Sequence, residues 1–312
     1  MLVCPEANAP VTIVRASRCK AAGTRSPYAS PMPLYRLAGP LPELDGPIVL
    51  AALDGWVDAG SAATNALDAL SEHATLVADF DPDQLFDYRS RRPTLEIRDG
   101  RLSSLTWPSL TLKHANLGGR DLLLLTGAEP DDRWQRFGTE TLELLERLDV
   151  RGWVSLGAIP AAVPHTRPVP ILGTEVRAGL LKGGVTPGPT GILRVPAAAL
   201  STLEMAAGEA GIAAVGYFAQ IPHYVSGPYA LASVELLRAV ERHLDTDLPH
   251  GDLVEEARQL RIRLDAAAAA DETTRAYVER LESMADESRL PAGDDLIADI
   301  ERFLRDRSDG GT

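Results

Sequence analysis

Cysteine is almost missing from this chain, and the two present, Cys4 and Cys19, sit close to its N-terminus. If the functional chain opens at Met32, just ahead of Leu34-Tyr35-Arg36-Leu37, it holds none, which excludes disulfides, thiolate zinc sites and a cysteine nucleophile together. Positive charge is scarce as well: 31 Lys and Arg stand against 44 Asp and Glu, giving a formal net charge of -13 and a pI near 5.0. That balance repels phosphate backbones and anionic lipid, and no local basic patch offsets it, so neither nucleic acid nor a membrane is expected as a partner. Long apolar runs are missing too. A membrane-spanning helix needs roughly 20 such residues, whereas Leu122-Leu123-Leu124-Leu125 is closed off by Asp121 and Thr126. The expectation is a soluble cytoplasmic protein whose 312 residues, 45% hydrophobic, suffice for a large domain with an appendage.

Residues 1–33 differ in character from the rest. Arg15, Arg18, Lys20 and Arg25 face the single acid Glu6, and no apolar period is sustained. A signal peptide would place its apolar stretch after the basic residues, but residues 11–14 precede most of them. The segment reads as a disordered arm or, preferably, as a start assigned too early, and no site is expected upstream of Met32.

What the chain does contain is an alternation of apolar runs and helical periods. Residues 47–54 (PIVLAALD), bounded by Pro and Gly, have the continuous apolar character of a buried parallel strand. Asp58 or Ser61 then caps a helix to Ala69. Further strands are expected at 74–80, 122–126, 152–156 and 212–219, with an antiparallel excursion over 94–97, 102–106 and 110–114 that turns at Asp99-Gly100. Helices fall at 131–148, 197–210 and 229–244; in the first, Trp134, Phe137, Thr141, Leu145 and Leu148 share a face opposite Arg136, Glu140, Glu143 and Arg147. Such alternation predicts an α/β fold, a three-layer sandwich with a mainly parallel sheet. From 249 onward the pattern is helical only, with charged amphipathic helices over 253–270, 272–286 and 294–305. The stripe Val254, Ala257, Leu260, Leu264 cannot stay uncovered and must dock elsewhere. Residues 34–248 are therefore expected as the α/β domain, 249–306 as a C-terminal helical appendage and 307–312 as a disordered tail.

Four of these strands run into loops carrying Asp, Glu, His and Tyr, at the ends where α/β sheets receive ligands and partners. The candidates for ligand or partner binding are Asp54, Trp56 and Asp58 after the first strand, Glu129 in Gly127-Ala128-Glu129, His165 and Arg167 in His165-Thr166-Arg167-Pro168, and His223 and Tyr224 after Pro222. Four of them have a plainer reading. Asp58 would cap the helix that follows. Arg167 would pair with a nearby carboxylate instead of clamping an anion, and His223 and Tyr224 would bond to the sheet edge. Catalytic machinery is not legible. Ser155 lacks the small residues two positions either side that a nucleophile elbow requires, since Trp153 occupies one of them. The stretch from Gly183-Gly184 to Thr190-Gly191 has no Gly-Lys-Ser/Thr ending, and its prolines remove amides a phosphate would use. The six histidines show no short helical pairing, so no metal and no cofactor is expected.

The order of these motifs resembles a known family. Gly55-Trp56-Val57-Asp58-Ala59-Gly60 after a strand, Leu156-Gly157-Ala158 with His165-Thr166-Arg167-Pro168, Gly188-Pro189-Thr190-Gly191-Ile192, and Pro222-His223-Tyr224 followed by Pro228 are together similar to the proteasome assembly chaperone 2 family in its actinobacterial form. The likeness runs over about residues 34–244 and resumes at Glu301-Arg302-Phe303-Leu304. It implies a nucleoside-phosphorylase-like α/β sandwich, self-association with a trimer among the open forms, and proteasome subunits as protein partners. It brings no catalytic residues. The chain ends Asp309-Gly310-Gly311-Thr312, without the hydrophobic-tyrosine-any terminus by which some members dock. Two functions follow: a non-enzymatic assembly chaperone or interaction scaffold, or a small-molecule enzyme of phosphorylase or hydrolase type using the strand-end His and Arg loops. The first accounts for the missing elbow, metal spacing and phosphate loop.

Overall fold

A computed structural model describes residues 32–185, 187–189 and 191–287. The expectations for the N-terminal arm, the start at Met32, the helix over 294–305 and the polar tail lie outside the described residues or at their edge. Ten strands and seven helices form among the described residues. The strands are β1 (Tyr35–Leu37), β2 (Ile48–Asp54), β3 (Thr75–Phe80), β4 (Thr94–Arg98), β5 (Arg101–Thr106), β6 (Leu110–Leu117), β7 (Arg120–Ala128), β8 (Gly152–Ala161), β9 (Ile171–Glu175) and β10 (Ala213–Pro222). The helices are α1 (Ala62–Leu70), α2 (Pro82–Leu85), α3 (Trp134–Arg147), α4 (Ala199–Glu209), α5 (Ala230–Leu244), α6 (Leu253–Ala270) and α7 (Glu272–Glu287).

Eight strands make one sheet in the order β1-β3-β6-β7-β2-β8-β10-β9. The expected parallel pairing holds for the centre, where β7, β2, β8 and β10 run together. It does not hold for the wings. On one side β6, β3 and β1, and on the other β9, pair antiparallel, so the sheet is mixed. For β6 the reason is local: the two-residue turn Gly118-Gly119 returns the chain antiparallel as β7, whereas β1, β3 and β9 are joined to their antiparallel neighbours by long connections. The central strands carry apolar residues on both faces because both are covered. Leu50 and Ala52 of β2 pack in one layer with α1 and α5, while Val49, Ala51 and Leu53 pack in the other with α3 and α4.

Several boundaries shift for physical reasons. β8 continues to Ala161, past the expected stop at Gly157, because β10 pairs with it from Ala213↔Gly152 to Pro222↔Ala161. Gly157 is not a turn residue: a Cβ there would lie 2.5 Å from Phe218 Cδ1, so the ring of the neighbouring strand requires glycine. The edge strands β1 and β9 are too short to show a period. Of the expected antiparallel excursion, β6 joins the main sheet, whereas β4 and β5 pair only with each other, turning at Asp99 and Gly100 with φ of 49° and 77°. The cross-strand pairs Leu95↔Leu105 and Ile97↔Leu102 place four large aliphatic side chains at 47%, 49%, 58% and 75% exposure on this ribbon. In α6 the docking stripe starts at buried Leu253, with Val254 exposed, and continues through Ala257, Leu260 and Leu264 against the layer of α1 and α5. α7 then buries Val278 and Leu281. No helix among the described residues is long and apolar enough to cross a membrane.

Two titrating groups are tied to this packing. Tyr217 accepts from the Lys182 backbone N–H and lies 2.8 Å from His243 Nδ1, and burial, with Lys182 adding to it, holds that imidazole down at about 4. Between its ordinary 6.5 and that value, the unfolded chain takes up a proton that the folded chain refuses, so stability falls as pH drops through the window. Asp121 has the lower window. Bonds from the Asp45 backbone, Asn116 and His114 hold it at about 2, and the stability they confer is lost as pH falls from 3.8 toward that value. His243→Gln should flatten the acid loss of urea-unfolding free energy in the upper window and leave the lower one in place. An unchanged upper limb would mean that His243 does not carry it.

Candidate functional site

The C-terminal ends of β2, β7, β8 and β10 lie along one edge of the sheet, and the candidate residues there fall into two groups. The first follows β2 and β7. Asp58 is 8% exposed, and its carboxylate accepts from the backbone N–H of Ala63 at 2.8 Å and from Thr64 Oγ1 at 2.5 Å. It thus caps α1 from beyond Gly60 and Ser61, both left-handed at φ 63° and 48°, while Ser61 makes no capping bond itself. Burial raises the Asp58 pKa against these bonds. Glu129 is a staple: Oε1 accepts from Ala199 N–H at the start of α4, 2.7 Å away, and Oε2 from Trp56 N–H at 2.9 Å. The tight turn requires Gly55, since a Cβ there would stand 2.1 Å from Glu129 Oε2. Trp56 itself is 66% exposed, and Asp54 reaches Arg91 Nη1 at 3.4 Å.

The second group follows β8 and β10, beneath α6 and α7. His165 is 1% exposed. The Tyr224 hydroxyl accepts from its backbone N–H at 2.8 Å and lies 2.7 Å from Nδ1, while Asp265 Oδ1 stands 3.3 Å from Nε2 without an aligned hydrogen bond. Burial lowers the His165 pKa more than that carboxylate raises it, which favours the neutral imidazole. Tyr224 in turn is raised, again by burial first. His223 bonds through Nδ1 to the Ala161 carbonyl at 3.0 Å and through Nε2 to the Tyr277 hydroxyl of α7 at 2.9 Å. Arg167 forms a bidentate pair with Asp286, at 3.0 and 2.8 Å, and reaches Glu282 at 3.3 Å. Thr166 bonds to the same Glu282, and Arg261 of α6 donates to the Thr166 carbonyl at 2.8 Å.

The plainer readings of Asp58, Arg167 and His223 therefore describe the geometry. Both imidazoles and Arg167 come together under α6 and α7, where their polar atoms are bonded within the chain except His165 Nε2, which is buried beside Asp265 without an aligned bond. Ser155 is fully buried in β8, where its Oγ accepts from Trp153 Nε1 at 2.7 Å. No group of three or more His, Cys, Asp or Glu is placed to hold a metal among the described residues. The partners missing from the sequence reading are Tyr277, Glu282, Asp286, Asp265 and Arg261. On amphipathic helices they read as a solvated face, and nothing local signals a bond to a loop 54 to 119 residues away.

With this geometry in place, comparison decides the lineage. The model of the PAC2 family matches residues 52–268. The chain belongs to the PAC2 family. Among solved structures, a Mycobacterium tuberculosis protein of unknown function is 33% identical with a TM-score of 0.78, over 83% of this chain and 93% of that one. A Corynebacterium glutamicum protein of unknown function is 30% identical with a TM-score of 0.76, over 82% and 98%. A proteasome-assembly chaperone homologue from Mycobacterium tuberculosis is 35% identical with a TM-score of 0.67, over 74% and 99%. No curated protein matches. The PAC2 match spans the motifs around Trp56, His165 and His223.

Two substitutions separate the roles of these PAC2 residues. Glu129→Ala leaves two backbone N–H groups without their carboxylate and should lower the urea-unfolding free energy by about 2–4 kcal/mol. Arg167→Ala should change global stability by less than about 1 kcal/mol, because its pairs are partly solvated. It should nevertheless speed amide exchange through α7 while β8 and β10 keep their protection. Unaltered exchange in α7 would show that the ion pairs do not hold the helix.

Proposed function

We propose that this PAC2 protein is a non-enzymatic assembly chaperone or interaction scaffold of the cytoplasm, and that proteasome subunits are its partners. The observation that carries the reading is the β4–β5 ribbon. Two strands alone are marginally stable, and this pair turns Leu95, Ile97, Leu102 and Leu105 outward instead of into the body. A contiguous apolar surface of that kind marks a contact with another macromolecule. Exposed Trp56 adds an aromatic anchor of the type enriched at protein interfaces. The 35% identical neighbour that is a proteasome-assembly chaperone homologue points to the class of partner. In this reading residues 34–248 form the chaperone body, the helices after 249 strap its rim, and the chain self-associates, a trimer being one open form. The phosphorylase- or hydrolase-type alternative gains nothing from this geometry, because His165 is buried and His223 and Arg167 are bonded to α7.

The test is direct. Purified full-length chain mixed with proteasome α-subunits of its own host should co-elute with them in size exclusion. The double variant Ile97→Glu, Leu102→Glu, with an unchanged circular dichroism spectrum, should elute apart from them. Failure of the wild-type chain to associate with α-subunits would overturn the proteasome assignment, and equal association of the variant would remove the ribbon from it.

A further inference from the structure

The rim holds a second feature, on the side that α6 and α7 do not strap. β2 and β7 are parallel neighbours, yet the chain leaving β2 goes to α1 in one apolar layer and the chain leaving β7 goes to α3 in the other. Where adjacent parallel strands send their connections to opposite faces, a crevice opens at their C-terminal ends, and ligands of α/β proteins bind there. A cavity of about 540 Å³ occupies this place, within the range of small-molecule sites. Its floor is the end of β7, where Gly127 is required because a Cβ would come 2.1 Å from the Ser109 carbonyl oxygen. Its roof is the root of the β4–β5 ribbon.

The lining is specific in chemistry. Arg91, Arg92 and Lys113 supply three cations against the carboxylates of Asp54 and Asp68, an excess of positive charge in a chain whose net charge is -13. Arg91 is only partly engaged: Nη1 meets Asp54 at 3.4 Å, and Nε is buried with no hydrogen-bond partner among the described residues. Thr64, Thr111 and Thr126 line the walls; Thr64 gives its proton to Asp58 and Thr111 to the Thr126 carbonyl, so their hydroxyl oxygens are left as acceptors for ligand hydroxyl groups. Trp107, half exposed, is braced edge-on by Tyr88 at a centroid distance of 4.7 Å and offers a flat apolar wall.

We infer that this crevice binds a small phosphorylated polyol of the sugar-phosphate class, with its phosphate between Arg91 and Lys113 and its carbon skeleton against Trp107. Guanidinium and ammonium groups together favour an anion, and the hydroxyl-rich walls favour a polyol over a bare ion. The site goes beyond the chaperone reading and uses none of the ribbon's apolar pairs.

Isothermal titration of the full chain separates these elements. Ribose 5-phosphate should bind saturably to one site, and ribose at least about tenfold more weakly, the worth of hydrogen bonds to a charged group. Arg91→Gln and Lys113→Met should each weaken ribose 5-phosphate by about tenfold or more. Trp107→Ala should weaken ribose 5-phosphate and leave inorganic phosphate unaffected. No saturable binding of ribose 5-phosphate, ribose binding equally well, or unchanged affinity in either cation variant that keeps the wild-type melting temperature would overturn the assignment.

Discussion

Four parallel strands at the centre of the sheet constrain everything else in this molecule. Parallel pairing of β7, β2, β8 and β10 obliges each connection to cross a face of the sheet, and so covers both faces with helices. It also collects four strand ends along one edge. The loops there must turn sharply into helices, and the polar side chains they carry serve those turns first. Asp58 caps α1, and Glu129 joins the Gly55-Trp56 turn to the first N–H of α4. A negative group at a helix start also meets the favourable end of the helix dipole. Loss of the Glu129 carboxylate would therefore disturb three elements at once, although it contacts only two backbone amides.

The two halves of the rim differ because one is strapped and the other is not. α6 docks through Leu253, Ala257, Leu260 and Leu264, and that apolar contact brings α7 over the ends of β8 and β10. Once α7 is there, Glu282 and Asp286 neutralise Arg167, and Tyr277 completes His223. Partly solvated pairs of this kind contribute little individually. Their effect is to set the register of α7 against the loops, while Val278 and Leu281 supply the burial. Among the described residues the ends of β2 and β7 have no such cover. Arg91 meets Asp54 at 3.4 Å, and the Trp56 side chain is mostly exposed.

Much of this was legible from residue order. The run PIVLAALD, the Asp99-Gly100 turn and the face of Phe137, Thr141 and Leu145 appear where local chemistry places them. What was not legible depends on distant partners. Gly157 resembles a turn until Phe218 of the neighbouring strand is seen to fill the space of its absent side chain. The antiparallel wings pair short edge strands that carry no period with strands distant in the chain, as β1 with β3 and β9 with β10. Arg167 and Asp286 are separated by 119 residues, so their pairing leaves no trace in spacing. The rim was foreseeable as a place, because strand-end loops rich in polar residues announce themselves. Which of its groups are spent internally was not.

That distinction bears on how one fold serves association. A side chain already bonded within the chain must lose that bond before it meets a partner, and the desolvated group it leaves behind adds to the cost. His165, Arg167 and Tyr224 are in that position, so the strapped half of the rim is poorly suited to rapid docking. The ribbon is the opposite case: Ile97 and Leu102 are exposed apolar side chains with no polar bond to give up, and covering them removes apolar surface from water at every encounter. Because the root of the ribbon also roofs the crevice between β2 and β7, a group held by Arg91 and Lys113 would lie at its base. Association at the ribbon and occupancy of the crevice then involve one element, and linkage requires that any effect of one on the affinity of the other be returned by the same factor.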